Sequence, residues 1–151
     1  MSLEHDPRYA VNLNELYKQV LMDHFARPRN KGRLDEADFT VHLENPTCGD
    51  TIEVQLKVRD GRVEEVRWQG HGCSISMASA SMTTQAIKGK TLAEAAQFLS
   101  RCRAMIKGEP GDYKELGELQ ALSGVAKFPV RVKCATLAWN AVEEGLKRVQ
   151  P

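Results

Sequence analysis

Cys48, Cys73 and Cys134 stand in three local sequences that turn the chain sharply or start a helix: Asn45-Pro46-Thr47-Cys48-Gly49-Asp50, Gly70-His71-Gly72-Cys73-Ser74-Ile75-Ser76 and Arg131-Val132-Lys133-Cys134-Ala135. A cysteine taken alone proves little, because the free thiol is among the most buried side chains and packs as a small hydrophobe. The settings carry more. Glycine beside Cys48 and Cys73 permits positive φ and close approach to a ligand, and Asp50, two residues beyond Cys48, can turn a carboxylate oxygen to the same point. Three thiols and one carboxylate make a tetrahedral metal site. Zinc suits it best, taking sulfur and oxygen donors without redox chemistry of its own, although soft thiolates also accept iron. The set carries net negative charge around a divalent ion, and Arg131 and Lys133 are the obvious cations to offset it. On these residues alone a purely structural zinc site stays open beside a reactive one.

The elements that must position these residues can be read from periodicity. Residues 1–11 show none and are expected to form a flexible tail, leaving 12–151 as a single domain. Leu13, Leu16, Tyr17, Val20, Leu21, His24 and Phe25 recur at helical spacing, with Asn12 and Glu15 as a capping box and Pro28 as the stop. Phe39, Val41 and Leu43, then Ile52, Val54, Leu56 and Val58, alternate with polar residues as half-buried strands do. Asp60-Gly61 is a hairpin turn into a third strand, where Val63, Val66 and Trp68 change parity and predict a bulge near Glu64 and Glu65. Small residues from Ala78 to Ser81 predict a closely packed helix after Cys73. Thr91 and Glu94 open another, with Leu92, Ala95, Leu99, Cys102 and Ile106 on one face, and residues 108–111 break it. Residues 113–127 are weakly helical, and a last helix from about Arg131 turns Cys134, Leu137, Ala138, Ala141 and Leu146 inward. The fold class is α+β, a small three-stranded antiparallel sheet packed with helices. In such a meander the first hairpin turn and the exit of the third strand share one end of the sheet, so Cys48 and Cys73 converge. Cys73 and Cys134 are expected in first helical turns, where the helix dipole favours thiolate.

Composition narrows the classes of function. The 151 residues carry 21 basic and 20 acidic side chains, a formal +1, without sign-segregated runs, which argues against a nucleic-acid partner. No apolar run approaches a membrane span and the N-terminal residues have no signal-peptide character, so a cytoplasmic protein is expected, with no membrane partner. Four cysteines in that setting favour metal or thiol chemistry over disulfides.

Together the three cysteine motifs, with Leu16-Tyr17-Lys18, Asp23-His24-Phe25 and Pro28-Arg29-Asn30-Lys31-Gly32, resemble the SufU branch of the IscU/NifU-type sulfur-transfer and iron-sulfur scaffold family, over most of the chain as far as Trp139. The resemblance implies a SufE/IscU-like fold and zinc held by Cys48, Asp50, Cys73 and Cys134. It also implies that Cys48 accepts persulfide sulfur from a SufS-type cysteine desulfurase, for relay to downstream iron-sulfur assembly proteins. Docking in that family lets a desulfurase histidine replace the accepting cysteine on zinc, and the glycine-flanked loop makes Cys48 the ligand most easily released. Scaffold-type members carry histidine immediately before the third cysteine, where this chain has Lys133, and the stretch from Gly108 to Gly124 looks like the insertion that marks the SufU branch. Both favour zinc-dependent sulfur relay over the alternatives, an iron-sulfur cluster scaffold or a zinc-stabilised interaction module without catalysis.

Other residues receive plainer readings. Cys102 lies on an apolar helix face and is expected to be a core thiol, and His24 a hydrogen-bonded packing residue. His71 is expected beside the ligands or in solvent, because the ligand set is complete without it. Lys88-Gly89-Lys90-Thr91 ends like a P-loop, but position 84 holds threonine where that motif needs glycine, which excludes nucleotide binding. Asp23, Arg27 and Arg29 are charges at a helix end, compatible with docking a desulfurase.

Overall fold

The computed structural model describes residues 7–47 and 49–149, with the side chains of the first helix described from Glu15 onward. Helix α1 (Pro7–Ala26) leads into strands β1 (Phe39–Asn45), β2 (Asp50–Arg59) and β3 (Arg62–His71), followed by α2 (Ser74–Ile87), α3 (Leu92–Ile106), a 3-10 segment (Lys114–Lys127) and α4 (Pro129–Val149). The strands form one antiparallel meander in the order β1-β2-β3. Residues 1–6 of the expected tail lie outside the described residues. Residues 7–11, assigned to that tail from sequence, are helical, and Asn12 lies inside α1 rather than capping it. Proline explains the earlier start: its fixed φ suits the first helical position and its missing N–H leaves no donor unsatisfied there.

The hairpin β2-β3 turns on Asp60 and Gly61, both at positive φ (53° and 72°), the pair a type I′ turn requires. The register shifts between Lys57, opposite Glu65, and Val58, opposite Val63, which leaves Glu64 as the extra residue of the expected bulge. Alternation then settles the faces. Ile52, Val54 and Leu56 of β2 are fully buried, and Asp50, in phase with them, points to the same side.

That side is covered by helices. Helix α4 packs on β1 and β2, and α2 lies against β3, α1 and α4. All but three residues of α2 are buried, and its small side chains let α4 approach: Ser79 Oγ donates to the Ala135 carbonyl at 2.6 Å, and Trp139 Nε1 donates to Thr83 Oγ1 at 2.9 Å. The two helices therefore run parallel in register, 79 beside 135 and 83 beside 139. Thr91 and Glu94 form the full capping box at the start of α3, whose buried face includes Ala95, Leu99, Cys102 and Ile106. The 3-10 segment kinks at Gly117, with φ 55° and ψ −127°.

Helix α1 buries less than its periodicity suggests, since Leu16 and Phe25 are exposed while His24 is fully buried. His24 Nδ1 lies 2.7 Å from Ser81 Oγ and Nε2 lies 2.8 Å from Glu118 Oε2, a bridge from α1 to α2 and the 3-10 segment. The same Ser81 oxygen accepts the Arg29 N–H, while Trp68 Nε1 donates to the Arg29 carbonyl and Trp68 N to that of Asn30. Asp23 pairs with Arg27 and Arg29, and the two guanidinium groups hold its carboxyl below the usual range. The stretch from Asp23 to Gly32 thus clamps the α1 exit to the far strand of the sheet. Among the described residues no helix is long and apolar enough to cross a membrane.

Candidate metal centre

Asp50, Cys73 and Cys134 converge from three elements. Each offers a ligand atom, and these atoms all lie within 4.8 Å of one another. Asp50 opens β2 on the buried face. Cys73 caps α2 in extended conformation (φ −69°, ψ 166°), directly after β3 ends at His71. Cys134 comes up from α4 at the height fixed by the pairing of Ser79 with Ala135. Asp50 and Cys134 are buried, while Cys73 is exposed, so the cluster sits at the surface with one side open. Cys48 lies outside the described residues. Its neighbours are held by Asn45, whose carbonyl accepts the Gly49 N–H at 2.8 Å and whose Oδ1 accepts the Thr47 N–H at 3.2 Å. Gly49 has φ 72°, the left-handed conformation that its lack of a Cβ permits.

Asp50 is tied into the site by one oxygen. Its Oδ1 accepts the Cys73 N–H at 3.0 Å, so the carboxylate docks on the start of α2. Gly72 makes that possible by size rather than by φ: a Cβ there would lie 2.3 Å from Asp50 Oδ1 and 2.8 Å from its Cγ. The second oxygen, Oδ2, is buried without any hydrogen-bond partner. A buried acceptor left unmade costs about 1–3 kcal/mol, more when charged, so the fold has reserved it for a cation or a donor.

The residues present fit a divalent ion with soft and hard donors. Tetrahedral zinc with Zn–S near 2.3 Å holds its sulfurs roughly 3.8 Å apart, a separation the 4.8 Å cluster reaches with small adjustment. The expected offset of charge is different from the sequence reading. Arg131 stacks its guanidinium over Phe128, 5.5 Å from the ring centroid, and Lys133 is exposed. Neither forms an ion pair with Asp50, and no other described cation does. Cys134 sits in the second turn of α4 rather than the first, because the helix begins two residues before the expected start, at Pro129; its thiol donates to the Val130 carbonyl at 3.7 Å.

The remaining sequence candidates stand apart. His71 is exposed at the end of β3. Cys102 is fully buried among α3 core residues, and that burial pushes its thiol up to about 12, which removes it from thiolate chemistry. Two residues at the centre escaped the sequence reading, Asn45 and Ser76, both buried. Their signals were present but ordinary: an Asn-Pro turn for the first, and the third position after a helix cap for the second.

The chain matches the NifU-like N-terminal domain over residues 16–149. The zinc-dependent sulfurtransferase SufU of Bacillus subtilis (strain 168) is 49% identical over 141 residues, 93% of this chain and 95% of that protein. The iron-sulfur cluster assembly scaffold protein IscU of Streptococcus pyogenes serotype M1 is 47% identical over 137 residues, 90% of this chain and 86% of that one. Among solved structures, FiSufU of the thermophile Fervidobacterium islandicum AW-1, assigned to iron-sulfur cluster assembly for the SUF system, superposes with a TM-score of 0.82 at 29% identity, covering 88% of this chain and 98% of that one. Sequence match, shared sheet-and-helix fold and near full-length coverage agree, and the chain belongs to the NifU-like N-terminal domain family, with IscU and SufU proteins as its relatives.

Proposed function

We propose that this chain is a cytoplasmic zinc-dependent sulfurtransferase that accepts persulfide sulfur from a SufS-type cysteine desulfurase and relays it to downstream iron-sulfur assembly proteins. The observation that carries the reading is the convergence of Asp50, Cys73 and Cys134 at one open-sided point, beside the loop that bears a further cysteine. Cys48, Asp50, Cys73 and Cys134 would hold zinc, which when bound keeps the thiols deprotonated and gathered. The sulfur-accepting step is an exchange. The Cys48 thiolate attacks the outer sulfur of the desulfurase persulfide, the donor S–S bond breaks, and a new S–S bond leaves that sulfur on Cys48 while the donor cysteine departs as thiolate. No outside oxidant or reductant is needed. Asp50, bound to the Cys73 N–H, orients the start of α2 under the loop.

A second reading, a scaffold on which an iron-sulfur cluster is built, is favoured by the 47% identity to the Streptococcus IscU scaffold protein. Lys133 beside Cys134 supports the first, since an ammonium offers no soft ligand where scaffold-type members place histidine. The test is desulfurase turnover on L-cysteine with and without the zinc-loaded protein, iron excluded, followed by mass analysis of the modified cysteine. Acceleration with the added sulfur on Cys48, lost in Cys48→Ala, is expected. No acceleration, together with cluster uptake when iron and sulfide are supplied, would replace this reading with the scaffold.

A further inference from the structure

Among the described residues, four buried side-chain atoms make no hydrogen bond: Asn45 Nδ2, Asp50 Oδ2, Ser76 Oγ and Glu65 Oε1. Glu65 is satisfied otherwise, by the Lys88 ammonium at 2.8 Å. The other three gather at the metal centre. Asn45 is the register partner of Asp50 across β1 and β2, and residues directly opposite on an antiparallel pair share a face, with Cβ atoms about 5 Å apart. A buried amide donor and a buried carboxylate acceptor therefore lie side by side, and they do not bond to each other.

Ser76 is placed by its helix. Cys73, Ser76, Ser79 and Thr83 follow one another at spacings of three and four, and Ser79 and Thr83 are the residues that bond α4. Ser76 thus lies on the face of α2 turned to α4, one turn nearer the site. A side chain at the third helical position commonly reaches back to the cap N–H, as Glu94 does to Thr91. Here Asp50 has already taken the Cys73 N–H, so the Ser76 hydroxyl is left without that partner. Asn45 and Ser76 are 7% and 1% exposed, so water does not satisfy them at the surface.

Two orphaned donors and one orphaned acceptor suit two kinds of neighbour at once. The acceptor faces positive charge. The donors suit negative charge, which the site supplies as thiolate sulfur when Asp50 is turned to the metal. Arg131 lies over Phe128 and Lys133 is exposed. We propose that Asn45, through Nδ2, and Ser76, through its hydroxyl, are positioning residues that donate hydrogen bonds to the thiolate sulfurs of the metal-loaded centre. The inference rests on the metal-thiolate reading of the site.

Two variants separate this from a merely structural role. Ser76→Ala deletes a hydroxyl that bonds nothing in the metal-free protein, so the metal-free melting temperature should hold or rise. Asn45→Ser keeps an oxygen able to accept the Thr47 N–H but ends short of the amide nitrogen. In each, Zn2+ affinity measured against a chromophoric chelator should fall by about tenfold or more, and the thiolate-to-metal charge-transfer band of the Co2+-loaded protein should shift. Wild-type affinity and an unshifted band in both variants would overturn the inference. So would Ser76→Ala losing metal affinity and metal-free stability together, since that is what a packing residue does. If the wild-type protein takes up no Zn2+, the metal-site reading itself falls, whereas uptake by wild type with unaltered variants removes only the donors.

Discussion

Gly72→Ala tests whether Asp50 is locked where the structure puts it. The φ of Gly72 is one any residue can adopt, so the substitution strains nothing in the backbone by itself and its whole effect is contact. The new Cβ would lie 2.3 Å from Asp50 Oδ1, against 3.4 Å for the near limit of ordinary contact, so the carboxylate must retreat by about 1 Å. That movement breaks its bond to the Cys73 N–H, now 3.0 Å. A hydrogen bond to a charged group contributes about 1.5–3 kcal/mol, and crowding a packed site costs a further ~1 kcal/mol. A loss near 3 kcal/mol in a chain of this length lowers the melting temperature by roughly 6–12 °C. The assay is thermal and urea unfolding of metal-free protein, repeated in an Asp50→Ala background. There the clash shrinks to a single Cβ contact at 3.1 Å, and Gly72→Ala should cost under about 1 kcal/mol. Equal costs in the two backgrounds would refute the reasoning, because the penalty would then come from the backbone or from another neighbour.

Three further outcomes are expected of the protein. Gly145→Ala places a Cβ 2.5 Å from Phe39 and 2.7 Å from Leu56, where α4 crosses the sheet, and should destabilise by about 1–3 kcal/mol in urea while leaving Zn2+ affinity unchanged. Cys102, with its thiol pushed up to about 12 from 9.0, keeps its proton in the folded chain at pH values where the unfolded chain loses it. Stability should therefore fall as pH rises from about 9 toward 12, by up to ~1.4 kcal/mol per unit, and Cys102→Ala should flatten that slope; iodoacetamide at neutral pH should modify exposed Cys73 of metal-free protein and spare Cys102. Chelation should lower the melting temperature of zinc-loaded protein and readdition restore it, and coincident melting curves would argue against the site.

The meander, its bulge, the Asp60-Gly61 turn and the capping box of α3 were all legible in sequence because each depends on neighbours a few residues apart. The start of α1 was misread because two local signals competed, an Asn12 cap and a Pro7 first position, and the periodicity of apolar residues favoured the later one. The inward face of α1 was legible in part. His24 is the buried, hydrogen-bonded packing residue expected, with partners from α2 and the 3-10 segment on both ring nitrogens, whereas Leu16 and Phe25 of the same stripe are exposed. Strand direction predicts that Cys48 and Cys73 converge; Cys48 lies outside the described residues, and Asp50, two positions on, lies beside Cys73. The charge environment was not legible: Lys133, one position from Cys134 on the helix, is exposed, and Arg131, a turn before it, extends over Phe128 instead. The buried donors Asn45 and Ser76 stayed hidden because their significance lies in bonds they do not make, which no sequence pattern records.

The way the three described donors are held differs, and the difference bears on how such a centre can work. Cys134 and Cys73 belong to helices whose spacing is set by bonds within the core, Ser79 to Ala135 and Trp139 to Thr83, so their separation can change only if α2 slides on α4. Asp50 is fixed to both the sheet and the start of α2. Among the described residues of the turn before it, Thr47 and Gly49 bond through their backbone N–H groups to one residue, Asn45. In the proposed transfer, a ligand on that turn leaves and returns while the three donors fixed by core bonds keep their places. A transfer centre needs that asymmetry, and a purely structural metal site gains nothing from it, since every ligand there serves best when fixed. Tightening the turn is therefore the perturbation that distinguishes them: shortening or rigidifying residues 46–49 should preserve or raise metal affinity while slowing sulfur acceptance, and parallel gains in both would show that the turn has no part in transfer.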